Sequence, residues 1–124
     1  MEFNQDKCHE LTLGNCDNIR YTHRYKIDTV EIEHVFEEKD LGVLIDSGLT
    51  FEGHISRKAQ VANGIVGLIR RSFSYLDPPS FKKIFCAFVR PHLEYGQAIW
   101  SPYLQKYIDV IERVQMRATK PLEK

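Results

Sequence analysis

No apolar run in this 124-residue chain approaches the roughly 20 residues that a membrane-spanning helix requires. A helical membrane protein is therefore set aside. Three cysteines, Cys8, Cys16 and Cys86, are an odd number without framework spacing, which excludes a disulfide scaffold and points to reduced thiols. No Cys-x2–4-Cys pair with a matched second half occurs, and His9, His23, His34, His54 and His92 are scattered, so zinc binding has no support. Glycine-rich phosphate cradles and "GxSxG" elbows are missing too, which removes two common routes to catalysis. There is no net charge, no internal repeat and no low-complexity segment. Met1–Cys16 carries acidic and polar residues where a secretory leader has a basic start and an apolar stretch. The chain reads as intracellular, with nothing to choose nucleus over cytoplasm.

What is present suits one globular domain, since 43% hydrophobic and 27% charged residues argue against wholesale disorder. The zero net charge hides a division. Residues 1–54 hold 5 Lys/Arg against 12 Asp/Glu, and residues 55–124 hold 12 against 5. Such asymmetry marks either a half that faces nucleic acid or two halves that attract each other.

The acidic half, 1–54, predicts strands. Cys8–Gly14 alternates weakly and ends on glycine, and 15–18 is turn chemistry. Tyr21–Ile27 and Val30–Phe36 flank Asp28-Thr29, a connection short enough for a hairpin. Leu41–Ile45 is an almost continuous apolar run, as in a buried strand. The expectation is a small antiparallel sheet that leaves apolar surface for another element to cover. Glu37, Glu38, Asp40 and Asp46 invite comparison with a two-metal carboxylate site, but a solvated acidic loop is the better reading.

The basic half, 55–124, predicts three to four helices, making the fold class α+β. Ile55, Ala59, Ala62, Ile65/Val66, Ile69, Phe73 and Leu76 recur at helical spacing, with Gly64 and Gly67 marking a bend or a close contact. Asp77-Pro78-Pro79-Ser80 stops this helix and starts another along Phe81, Ile84, Phe85 and Phe88. Pro91 should kink or divide it. A third piece holds Leu93, Tyr95, Ile99 and Trp100, and a last helix carries Tyr107/Ile108, Ile111, Val114 and Ala118. Tyr95, Trp100, Tyr103 and Tyr107 read as core aromatics rather than as base-stacking platforms.

Certain words in the chain are more specific. "FNQDKC" (3–8), "KDLGV" (39–43), "GLIRRSFSYL" (67–76), "RPHLEY" (90–95) and "IERVQMRATK" (111–120) resemble, in content and order, the end of the palm and the start of the thumb of jockey-type non-LTR retrotransposon reverse transcriptases. The resemblance covers nearly the whole chain. It implies a palm-end β segment over 1–54 and a thumb-like helical segment over 55–124.

It also implies that the paired catalytic aspartates fall just before Met1, so that magnesium belongs only to an intact polymerase and the chain alone extends no primer. Lys7 becomes the candidate general acid of an intact enzyme, against a plain solvated lysine. Lys39, Leu41 and Gly42 form a primer-grip-like turn, with Leu41 and Val43 anchoring it in the core. Arg70, Arg71, Arg113, Arg117 and Lys120 become candidate contacts to an RNA/DNA duplex, since thumbs track the sugar–phosphate backbone. The remaining palm and fingers would be partners. Competing expectations are a domesticated protein-interaction module and a translated relic without function.

Overall fold

A computed structural model describes residues 3–14 and 24–120. The chain divides into two compact units, residues 1–51 and 52–124. Helix begins at Glu52, ahead of the 54/55 boundary that the apolar pattern suggests. The fold is α+β, with small sheets and a handful of helices.

In the first unit, a single 3-10 turn, Gln5–Lys7, is capped by Asn4, whose side chain accepts from the Asp6 N–H at 3.1 Å. Among the described residues six short strands follow: β1 (His9–Leu11), β2 (Lys26–Ile27), β3 (Val30–Glu31), β4 (Glu33–Val35), β5 (Glu37–Asp40) and β6 (Val43–Asp46). They make three two-stranded ladders in place of the one antiparallel sheet anticipated. β2–β3 and β5–β6 are antiparallel hairpins, whereas β1 and β4 pair in parallel. That parallel pairing joins strands distant in the chain, which local pattern cannot reveal. The Asp28-Thr29 hairpin forms as expected, with Asp28 at φ 55°. The turn expected at 15–18 and the start of the strand expected from 21 lie outside the described residues.

β5 corrects the acidic-loop reading of Glu37, Glu38 and Asp40. Those residues form a strand because the two-residue turn at Leu41-Gly42 fixes the register Asp40↔Val43. Both turn residues are left-handed, φ 46° and 83°, as a primed hairpin turn demands for the twist of its strands. Leu41 therefore sits at the tip with an exposed side chain and does not anchor the turn. Val43 is the buried member of the pair.

The second unit holds α1 (Glu52–Ser72), α2 (Pro78–Ile84), α3 (Arg90–Glu94), α4 (Gln97–Trp100) and α5 (Gln105–Thr119). Its core gathers Ala59, Ala62, Val66 and Ile69 of α1, Phe81, Val89 and Leu93 from the middle segment, and Val114 and Ala118 of α5. The helical spacing anticipated for α1 is the buried face observed as far as Ile69, but Phe73 and Leu76 fall beyond the helix end at Ser72, where Phe73 is exposed and Leu76 packs against the core from a loop. Asp77 caps α2 by accepting from the Ser80 N–H at 3.1 Å, and Pro78 and Pro79 occupy its first turn. Between α2 and α3, residues Phe85–Val89 adopt a π-helical turn in which the Arg90 N–H reaches back to the Phe85 carbonyl. Pro91 supplies the reason: it has no N–H to donate and its ring crowds the carbonyl four residues earlier, so the wider turn lets the helix pass it. Among the described residues no helix is long and apolar enough to cross a membrane.

Candidate nucleic-acid interface

α1 and α5 run side by side in the same direction. At their N-terminal ends the Tyr107 hydroxyl donates to Glu52 Oε2 at 3.0 Å. At their C-terminal ends the Arg70 guanidinium donates to the backbone carbonyl of Arg117, and Arg117 Nη1 extends to Asn63 Oδ1 at 3.5 Å. Parallel helices place two partially negative C-terminal ends together, an arrangement that cations near those ends relieve.

The structure thus brings Arg70 and Arg117 together across 47 positions of sequence. Arg113, Arg117 and Lys120 are exposed along one face of α5, spaced by four and three residues. Arg71 is exposed on α1 but points away from Arg70's direction, since adjacent helical residues are separated by about 100°. Among the described residues no carboxylate lies within ion-pair distance of Arg71, Arg113 or Lys120. Arg70 works as a helix cap, while Arg71, Arg113 and Lys120 face solvent with their charge unneutralised. Arg90, another basic residue of this unit, is held by Glu94 at 2.6 Å. Asn63 escaped the sequence reading; its only signal is an amide beside the buried face, seven residues before Arg70.

The aromatics divide. Trp100 and Tyr107 are buried, as read from sequence, but Tyr95 and Tyr103 are exposed. The Trp100 indole N–H donates to the Tyr95 carbonyl at 2.7 Å, and the Lys106 ammonium lies 4.5 Å from the Tyr107 ring centre. Buried His54 packs on Trp100 with ring centres 5.3 Å apart. Burial, aided by the Lys58 charge, lowers the His54 pKa below its ordinary value.

In the first unit Lys7 ends the 3-10 turn with its side chain in solvent, and Lys39 is exposed on β5. Glu38 Oε2 pairs with His9 Nδ1 at 2.7 Å. Asp46 accepts from the Thr50 N–H at 3.0 Å, the Thr50 hydroxyl at 2.9 Å and the Phe51 N–H at 2.6 Å. Partial burial works to raise its pKa, but those hydrogen bonds prevail and hold the carboxyl below its ordinary value. The carboxylate also stabilises a connection in which Leu49 and Phe51 are left-handed, φ 54° and 56°. With Glu38 and Asp46 so committed, these side chains assemble no magnesium site among the described residues.

Compared with protein-family models, curated proteins and solved structures, the chain matches none.

Proposed function

We propose that this chain is the palm-end and thumb region of a jockey-type non-LTR reverse transcriptase, and that its helical unit grips the sugar–phosphate backbone of an RNA–DNA template–primer duplex. The observation that carries the reading is the basic edge where α1 and α5 end together: Arg70 beside Arg117, with Arg113 and Lys120 continuing along α5. Spaced cations on a rigid helix pair attract a regular phosphate array without reading sequence. On this reading the Lys39-Leu41-Gly42 turn steadies the primer end, and Lys7 serves chemistry only beside the catalytic carboxylates. The 124 residues contain no "YxDD" pair, so this polypeptide binds duplex without extending it. The setting is intracellular.

A protein-interaction module is the second reading, favoured by Leu68, Phe88 and Ile99 of the helical unit, which are large, apolar and exposed. Fluorescence anisotropy with a labelled RNA–DNA hybrid separates the two. Duplex binding that weakens with salt and with loss of Arg113 or Arg117 supports the thumb. Absence of binding in low salt leaves the interaction module.

A further inference from the structure

The connection between α1 and α2 lies between two basic pairs. Arg70 and Arg71 fall in the last turn of α1, and Lys82 and Lys83 in the last turn of α2. From Gly53 to Leu93 the single acidic residue is Asp77, and its carboxylate caps α2. The Phe73 N–H still reaches the Ile69 carbonyl at 3.2 Å, so the chain leaves the helix at Ser74 and re-enters one at Pro78. Phe73, Ser74 and Tyr75 are all exposed. Other hydroxyls are placed differently: Ser72 is the last residue of α1, Thr50 donates to Asp46, and Thr119 donates to carbonyls of its own helix.

A serine kinase draws an extended segment into its cleft, where its own carboxylates read cations at a fixed offset from the acceptor hydroxyl. Ser74 offers that pattern, with Arg71 three residues before it, Arg70 four before it and the exposed Tyr75 directly after. Among the described residues Arg71 has no carboxylate within ion-pair distance. The main chain of Ser74 and Tyr75 makes no backbone hydrogen bond among the described residues, so extending it disturbs at most the last turn of α1.

We propose that Ser74 is a phosphorylation site for an arginine-directed serine kinase, and that its phosphate weakens the basic edge formed by α1 and α5. In the transfer the Ser74 hydroxyl oxygen bonds to the γ-phosphorus of ATP and the bond from that phosphorus to ADP breaks. The hydroxyl proton passes to a carboxylate of the kinase, and ADP leaves. The product carries about two negative charges at neutral pH. They stand just past the C-terminal end of α1, whose unpaired carbonyls already make it partly negative. An anionic acceptor there draws Arg71 and competes with the neutral Arg117 carbonyl for Arg70, because charge-assisted hydrogen bonds are roughly twice as strong. These cations then face the chain's own phosphate in place of a duplex, and the last turn of α5 loses its cap. The effect on duplex binding rests on the duplex reading; the modification and the change in α5 do not.

The test incubates the folded full chain with ATP, magnesium and a purified serine kinase that selects arginine three residues before its acceptor. Mass spectrometry should show one added phosphoryl group, mapped to Ser74. Ser74→Ala should lose it, and Arg71→Gln should slow its incorporation severalfold. Amide exchange at Gln115–Thr119 should quicken in the phosphorylated chain. Its affinity for an RNA–DNA hybrid should fall, with a salt slope smaller by about 1–2. No incorporation, incorporation at another residue, or equal rates for wild type and Arg71→Gln overturn the site. Exchange and hybrid affinity that are both unchanged by phosphorylation overturn its effect on the edge. An unmodified chain that binds no hybrid refutes the duplex reading alone, and the mapped site and the exchange rates then decide this proposal.

Discussion

The Arg70 guanidinium donates to the backbone carbonyl of Arg117, tying the C-terminal end of α1 to that of α5. The carbonyl is among the last four of α5, which have no partner within the helix. Arg70→Ala should therefore lower the stability of the helical unit by roughly 0.5–1 kcal/mol and release the last turn of α5. Denaturant unfolding with amide exchange at Gln115–Thr119 measures both. If Arg70 instead served only as a phosphate contact, these amides would keep their protection.

His54 offers a pH test. Because burial depresses its folded-state pKa, the neutral ring is favoured in the fold, and its contribution to stability is complete above the ordinary value of 6.5. Stability should decline as pH falls from there toward the folded-state pKa. The chain has one tryptophan, so Trp100 fluorescence reports the packing directly. Melts followed at that signal should shift downward between neutral and mildly acidic pH, and His54→Leu should abolish this part of the dependence.

Asp46 has the opposite chemistry and a lower window. Its carboxyl is held below the ordinary value of 3.8, so its contribution is present above that pH and is lost as pH falls through the folded-state pKa. Asp46→Asn should weaken the Thr50 and Phe51 hydrogen bonds, costing about 1 kcal/mol, and should flatten the acid-induced change in their amide signals.

Much of the second unit was legible because helical burial follows a period that a sequence displays. Ile55, Ala59, Ala62, Val66 and Ile69 recur at helical spacing in the sequence and are buried in α1. The start of α2 at Asp77-Pro78-Pro79-Ser80 was legible from its cap and prolines, although α1 ends earlier, at Ser72, than those residues suggest. β5 was not, because "EEKD" has no apolar alternation and becomes a strand only through the turn that follows it. The β1–β4 pairing and the Arg70–Arg117 bond join distant positions, so neither could be inferred from neighbours in the chain. For the site, sequence marked the cations, but only the fold separates a cap such as Arg70 from a solvent-facing charge such as Arg113.

Gly64→Ala should raise stability by roughly 0.5–1 kcal/mol, since the added methyl meets open space and the unfolded chain loses freedom. Thermal or denaturant unfolding of dilute protein checks this. A destabilised variant would mean that the outer face of α1 is more crowded than described.

The central claim is tested most directly by the salt dependence of binding to an RNA–DNA hybrid, comparing the wild-type chain with Arg113→Ala. The account predicts log affinity falling linearly with log salt, with a slope reduced by about 1 in the variant while its fold is retained. Equal slopes for the two proteins, or no binding at low salt, would contradict it.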